Sequence, residues 1–373
     1  MKILRVVALR SQSGAYGGPA DTALAQSLLL GGSGPHDVRL ISGVLAGDAP
    51  GEISGPVRVV QAPVRRLMPH LGNAGVFSWS VFSELRRYAS RCDVMHVSFA
   101  REPVPIAAAI LALAYRKRLV LQPHGMLTAR TGPRQRLLDL LVKPIFRRAT
   151  SVIALTEVEA AALRSWCGRT APRTVVSGNP IPAWAGRLER RPSREALFLG
   201  RLEKRKRVTD FAEAARLSCD EGKGIGYAVV GPDQGDLAKL EPFLRDSADL
   251  AYEGAIGPTE VPQRLARTGV FVMTSLSEPW GNVLALALYY GIPVVITESA
   301  ALAPAVSRYG AGVVVSDRSP EQVARGVASL LDSPTEYSAA SDGARRLATE
   351  LIGDESILAN LNRAYAGKLG DSS

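Results

Sequence analysis

Short apolar runs alternate with helical patterns along the whole chain. Residues 3–9, 38–41, 57–60, 94–97, 119–122 and 152–155 are apolar segments bounded by glycine, proline or charge, the pattern of strands covered on both faces. Between several of them, residues 21–30, 81–90 and 105–115 place apolar side chains three and four positions apart, which predicts helices. The pattern then restarts. Runs at 196–199, 226–230, 250–252, 270–274, 294–297 and 312–315 predict strands, and 208–218, 258–267, 282–290 and 320–331 predict helices. Strand–helix alternation with few hairpin signals implies parallel sheets covered on both faces.

Ser177-Gly178-Asn179-Pro180-Ile181-Pro182, followed by the charged stretch 187–194, marks a linker between the two series. A length of 373 residues is enough for two domains with sizeable cores. The expected fold class is α/β, with Rossmann-like, doubly wound parallel-sheet domains at 1–182 and 183–350. Residues 336–368 read as mostly helical, and a C-terminal helix within 351–373 is expected to pack back on the first domain. Two such domains leave a cleft between the carboxyl ends of their sheets, where open α/β folds bind ligands.

Composition narrows the class. Hydrophobic residues make up 46% and charged residues 21%, which excludes a disordered or fibrous chain. Cys92, Cys167 and Cys219 are odd in number and far apart, so they form neither a disulfide framework nor a zinc knuckle and fit a reducing compartment. The histidines show no metal-ligand spacing. His96 lies within a strand run and reads as buried and structural; His36 precedes a strand taken as an edge and reads as exposed. The longest apolar stretch is 104–115, shorter than the roughly 20 residues a bilayer helix needs. Lys2 and Arg5 interrupt the first apolar run, which marks it as a buried strand rather than a signal peptide. A cytoplasmic protein is expected.

The net charge of +10 is uneven: residues 1–182 hold 23 Lys and Arg against 10 Asp and Glu, and residues 183–373 hold 22 against 25. It peaks where Arg116, Lys117, Arg118, Arg130, Arg134, Arg136, Lys143, Arg147 and Arg148 meet only Asp139. Such a patch attracts an anionic partner. The segment 134–148 sets basic ends around a Leu/Val/Ile/Phe middle, which suits a membrane interface at about 1 kcal/mol per basic residue, or equally a solvated helix with one stripe on the core. Aromatics are only 6% and no nucleic-acid module accompanies the charge, so nucleic acid is not expected as a partner.

Candidate chemistry gathers at strand ends in the second half. Gly200-Arg201-Leu202 follows a strand, and Lys206 comes five residues after Arg201. Two cations at one sheet edge suit a diphosphate, with Arg supplying forked donors; the run Arg205-Lys206-Arg207 also reads as a solvated loop. Gly231-Pro232-Asp233 is a further turn at the same edge. In 275–295, SLSEPWGNVLALALYYGIPVV, Glu278 precedes Pro279-Trp280-Gly281-Asn282-Val283 at the start of an apolar helix. Amides at a helix start, with glycine for close approach, cradle an anion or a polyol. The bland reading of Glu278 is helix-cap electrostatics, worth about 0.3–1 kcal/mol. No Asp-x-Asp occurs, so no metal and no cofactor is expected, and side-chain cations would stand in for a magnesium-bridged diphosphate.

These motifs resemble the retaining glycosyltransferases of family four, which have the two-Rossmann GT-B fold. SLSEPWGNVLALALYYGIPVV is similar to that family's signature at Glu278, Gly281, Gly291, Pro293 and Val294, with Trp280 at the aromatic position. FLGRLEKRK is similar to its diphosphate site, YEGAIGPTEVPQRLARTGVFVMTS to its helix–strand–Ser block, and DVMHVS and LQPHGML to front-domain strand ends. RRATSVIALTEVEAAAL with VVSGNPIP resembles the last front-domain strand and the domain exchange. Tyr16-Gly17-Gly18 matches the glycine turn that faces the donor diphosphate.

The resemblance implies sugar transfer from a nucleotide-diphosphate donor with retention, to a lipid-linked or cell-surface glycan acceptor bound by the basic front domain. It implies catalytic roles for Arg201, Lys206, Glu278 and His124. Arg201 and Lys206 would stabilise the leaving diphosphate, Glu278 would hold the sugar's hydroxyls, and His124 would face the sugar across the cleft. Donor binding falls to Gly17, Gly18, Gly200, Gly231, Pro279, Trp280, Gly281, Asn282 and Val283. Peripheral attachment to an anionic inner membrane face follows from the basic domain. One position departs: the family's second Glu, which usually accepts hydrogen bonds from the ribose, is Leu286 here. A soluble small-molecule acceptor, a nucleotide-sugar-binding protein without catalysis and a nucleotide-sugar epimerase on the same plan are the alternatives.

Overall fold

The computed structural model describes residues 1–10, 18–45, 55–66, 76–127, 132–186 and 188–367. It divides into two compact units, Met1–Pro182 with Asp354–Ser373, and Ala183–Gly353.

The first unit runs β1 (Lys2–Leu9), α1 (Gly18–Gly32), β2 (Asp37–Leu45), β3 (Val57–Arg66), β4 (Val76–Phe77), α2 (Trp79–Ala89), β5 (Val94–Ser98), α3 (Pro103–Ala114), β6 (Arg118–Gln122), α4 (Pro133–Arg147), β7 (Ser151–Ala154), α5 (Glu157–Cys167) and β8 (Arg173–Val176). The sheet order is β4-β3-β2-β1-β5-β6-β7-β8, parallel except for β4 against β3. The strand order reverses between β1 and β5, a switch point of the kind at whose carboxyl edge doubly wound sheets bind ligands.

Alternate residues of β1 serve opposite layers. Leu4 and Val6 join the core of Phe99 and Phe146, and Ile3 and Val7 join the core beneath α1. Arg5, on that second face, is wholly buried. Its Nη2 donates to Gln26 Oε1 at 2.7 Å, and its Nη1 meets His96 Nδ1 on the neighbouring strand. His96 is buried as expected. His36 is half-buried rather than exposed, because β2 lies inside the sheet between β1 and β3 and is not an edge.

The second unit runs β9 (Glu195–Leu199), α6 (Val208–Asp220), β10 (Gly226–Val230), α7 (Leu237–Asp246), β11 (Leu250–Tyr252), α8 (Val261–Ala266), β12 (Val270–Met273), α9 (Asn282–Tyr289), β13 (Val294–Thr297), α10 (Ala303–Tyr309), β14 (Gly312–Val315), α11 (Pro320–Asp332) and α12 (Pro334–Ile352). Its all-parallel sheet has the order β11-β10-β9-β12-β13-β14. Here the order reverses between β9 and β12. The apolar α9 has buried residues from Leu284 through Leu288, so it sits inside the unit, as a helix without a polar face must.

The helical stretch expected over 336–368 breaks at Gly353 into α12 and α13 (Asp354–Tyr365). Helix α13 belongs to the first unit, whose span therefore resumes at Asp354. Ile357, Leu361 and Ala364 join the core with Ile3 and Val7. Ser151 Oγ donates to Ala364 O at 2.7 Å, Arg118 Nη1 to Tyr365 O at 2.9 Å, and the Tyr365 hydroxyl lies 2.8 Å from His96 Nδ1. Among the described residues no helix is long and apolar enough to cross a membrane.

Candidate functional site

In the second unit three loops meet at the carboxyl edge of the sheet, beside its reversal point. They follow β9 (200–207), β12 (274–281) and β13 (298–302). Backbone and side-chain bonds stitch them together. Thr274 Oγ1 donates to the carbonyls of Lys206 and Arg207 at 3.0 Å, and Leu276 N to Arg205 O at 2.9 Å. Ser277 N donates to Ser299 Oγ and Ala301 N to Glu278 O, both at 2.9 Å.

Glu278 stands where these loops join, with its side chain 8% exposed. Its Oε2 accepts from Lys206 Nζ at 2.5 Å and from Arg205 Nη1 at 2.9 Å. Burial pushes its pKa up, but the charges and hydrogen bonds of Lys206 and Arg205 outweigh burial and hold the carboxyl below the usual carboxylate range. Helix capping does not describe it, since its charge is spent on the two cations.

The basic run is paired rather than solvated. Arg205 Nη2 also lies 3.4 Å from Glu203 Oε1, and Arg207 makes two bonds to Asp210. Arg201 is placed differently from the fixed cation expected. Its side chain is 53% exposed, and it donates to Gln234 Oε1 and Glu203 Oε1 at 3.2 Å. Lys206, at 17% exposure, is the held cation. Glu203 thus joins Arg201 to Arg205, and Arg205 joins both to Glu278. The sequence reading missed Arg205 and Glu203, because a run of adjacent cations carries no sign of its partners. Two non-glycine residues in this small area, Arg207 and Ser277, have left-handed φ of 53° and 51°. Such strain, about 1–2 kcal/mol per residue, persists where surrounding contacts over-determine the backbone.

The glycines and the Pro279–Val283 stretch have distinct surroundings. A Cβ added at Gly200 would meet nothing within 4 Å, so this strand end faces open space. At Gly231 a Cβ would run into the Gly200 carbonyl, and Gly231 has φ 145°, so its lack of a side chain serves the packing of β10 against β9. Gly281 opens α9 with φ 79°. Asn282 is exposed, Pro279 and Val283 are half-buried, and Trp280 is buried with no partner for its Nε1 among the described residues. The Trp280 ring is therefore a core residue. Leu286 is buried as well. Among the described residues no group of three His, Cys, Asp or Glu could hold a metal ion.

In the first unit, His124 and Gly125 are the central residues of the turn after β6, with φ 52° and 76°, closed by Met126 N donating to Pro123 O at 2.9 Å. His124 Nε2 lies 3.2 Å from Ser98 Oγ, and its Nδ1 has no partner among the described residues. Burial, aided by the charge of Arg5, pushes its pKa down to about 3, so the ring is neutral at physiological pH. Gly18 is the first residue of α1. Gly17 lies outside the described residues. Helix α4 turns Val142, Ile145 and Phe146 to the core and leaves Leu137 70% and Leu140 73% exposed, with Leu138 and Leu141 beside them. Asp139 turns back to Arg101 Nε at 2.9 Å and Trp166 Nε1 at 3.1 Å.

The Glu278 cluster predicts an acid-dependent contribution to stability. With its folded pKa lowered, that contribution is full above the unfolded value of about 4.3 and is lost as pH falls through the folded value. Glu278→Gln should cost about 1.5–3 kcal/mol at pH 7, the worth of a charged hydrogen bond. In urea unfolding, the gap between wild type and variant should close as pH falls below about 4.3; a constant gap contradicts the pairing.

Comparison with known proteins agrees with this architecture. Residues 17–180 match the model of the glycosyl transferase 4-like domain, and residues 186–347 that of glycosyl transferases group 1. Glycogen synthase of Mycobacterium tuberculosis is 29% identical over 194 residues, which are 50% of this chain and 46% of that protein; the chain thus aligns with about half the length of this relative. Among solved structures, Anabaena HepE in complex with UDP superposes with a TM-score of 0.73 at 15% identity, covering 97% of this chain and 99% of that one. Sucrose-phosphate synthase from Thermosynechococcus elongatus gives 0.71 at 16% identity, covering 98% of both chains. Two doubly wound units, each matched by a glycosyltransferase domain model, place this chain among the glycosyltransferases of GT-B type.

Proposed function

We propose that the protein is a retaining glycosyltransferase that moves a sugar from a nucleotide-diphosphate donor to a lipid-linked or cell-surface glycan acceptor, without a metal ion. The observation that carries this reading is the buried Glu278 carboxylate, which fixes Lys206 and Arg205 on the loop that leaves the open strand end at Gly200. A diphosphate placed there meets Lys206, held by Glu278, and Arg201, free to swing from its exposed pairing with Glu203. Transfer breaks the bond from the sugar's anomeric carbon to the diphosphate and forms one to an acceptor oxygen; the products are the glycosylated acceptor, the nucleoside diphosphate and a proton. The cations stabilise the charge left on the diphosphate, an electrostatic term that usually outweighs the others. Glu278 has a second oxygen, Oε1, to offer the sugar's hydroxyls. His124, neutral and acting as a hydrogen-bonding group rather than a cation, serves the same transfer.

HepE is described with UDP and with UDP-glucose, so uridine-diphosphate sugars come first among the donors to test. Leu286 cannot accept a hydrogen bond, and ribose contacts then fall to other groups. The basic front unit and the exposed leucines of α4 favour an acceptor presented at an anionic membrane over a soluble one. Leucines exposed at successive turns and flanked by Arg136, Lys143 and Arg148 suit insertion among anionic head groups.

With a panel of nucleotide sugars in excess EDTA, the wild type should release nucleoside diphosphate. Arg201→Ala and Lys206→Ala should each lower kcat by about 100-fold. Turnover unchanged in both variants, or abolished by EDTA, refutes the leaving-group role. On vesicles with anionic lipid, the wild type should float and lose binding in high salt, and the Leu137→Ser/Leu140→Ser variant should remain at the bottom of the gradient. Equal flotation of the two contradicts the role of α4.

A further inference from the structure

Glu159 is a buried carboxylate that, among the described residues, accepts hydrogen bonds from two backbone amides and from no cation. It stands at the third position of α5, where a glutamate ordinarily folds back to cap its own helix. Only part of it does so: Oε2 accepts from Leu155 N at 2.7 Å, at the end of β7. The other oxygen, Oε1, reaches across to a different strand end and accepts from Gly125 N at 2.6 Å. The hydroxyl of Thr156, which accepts from Glu159 N at 3.1 Å, already caps the helix. The carboxylate therefore ties the turn after β6 to the start of α5.

That turn carries His124. It holds two successive residues in the left-handed region, His124 and Gly125, and the first has a Cβ that disfavours it. A backbone of this kind keeps its shape only where neighbours hold it. The Gly125 amide, one residue past the histidine, is held by Glu159, and the ring is held by Ser98. Without the carboxylate, the half-buried Gly125 amide loses its partner and the turn keeps only its own bond from Met126 N to Pro123 O, so the imidazole is less firmly placed.

We infer that Glu159 is a positioning residue for His124, fixing the strained His124–Gly125 turn so that the imidazole stands where sugar transfer needs it. This rests on the reading that His124 takes part in the transfer. Glu159→Gln keeps the shape but puts an amide NH2 against one of the two backbone N–H groups. It should lower kcat about 10- to 100-fold, the worth of a charged hydrogen bond, with donor KM changed by less than about three-fold.

The decisive test is a double-mutant cycle of His124→Ala and Glu159→Gln, assayed with the donor that turns over, at a temperature where all variants are folded. If Glu159 acts through His124, the double variant has the kcat of His124→Ala alone. Independent, multiplying losses, or a Glu159→Gln kcat equal to wild type, overturn the proposal while leaving His124 in place. A His124→Ala enzyme with wild-type kcat overturns the His124 reading instead. Thr156→Ala controls for general weakening of α5 and should lower Tm without lowering kcat. Should Glu159→Gln fail to fold, Glu159→Asp, one methylene short of spanning both amides, takes its place in the same cycle.

Discussion

Glu278, buried and sharing one carboxylate oxygen between Lys206 and Arg205, is the constraint on which the second unit's site depends. An ionised carboxylate at 8% exposure would be costly without those cations, and the cations would be loose without it. Both cations lie on the loop after β9 and Glu278 on the loop after β12, so satisfying the charge also fixes these two loops relative to each other. Thr274 and Leu276 add backbone bonds to the same seam. The left-handed residues Arg207 and Ser277 follow from that seam: the chain must turn sharply beside each charged group. The sheet makes this possible by reversing its strand order between β9 and β12, which opens space at the carboxyl edge.

The first unit repeats the logic with different residues. Its sheet reverses between β1 and β5, and the turn after β6 bears a strained histidine kept neutral by burial and by the charge of Arg5. Arg5 is itself enclosed, with Gln26 and His96 as hydrogen-bond partners, and the Tyr365 hydroxyl of α13 completes the group at His96. The final helix thus contributes a polar contact as well as apolar cover to the unit in which the chain began.

Much of this was legible in the sequence. Parallel strands covered on both faces appear as unbroken apolar runs, so β1, β5, β6, β10 and β13 stand out. Helices α7 and α10 did not, because each is short and contains a proline, Pro242 or Pro304. Glu278 and Lys206 were identifiable as candidates from their motifs, but not as partners, since 72 residues separate them. Arg205 looked like one more solvated cation. Arg201 looked fixed and is half in solvent, because neither Glu203 nor Gln234 encloses it. Trp280 stood at a motif position that suggested ligand contact, yet its ring lies in the core. Glu159 drew no reading from the sequence, since only the fold brings Gly125 to its second oxygen.

Calorimetric titration of a nucleoside, its monophosphate and its diphosphate into wild type and Lys206→Ala, all in excess EDTA, examines the anion site without relying on any acceptor. The diphosphate should bind the wild type most tightly, weaken as salt rises, and lose at least about ten-fold in affinity with Lys206→Ala, as expected for a charged hydrogen bond. A bare nucleoside that binds as tightly as the diphosphate, or a diphosphate indifferent to Lys206, would mean that the cations around Glu278 serve the fold alone.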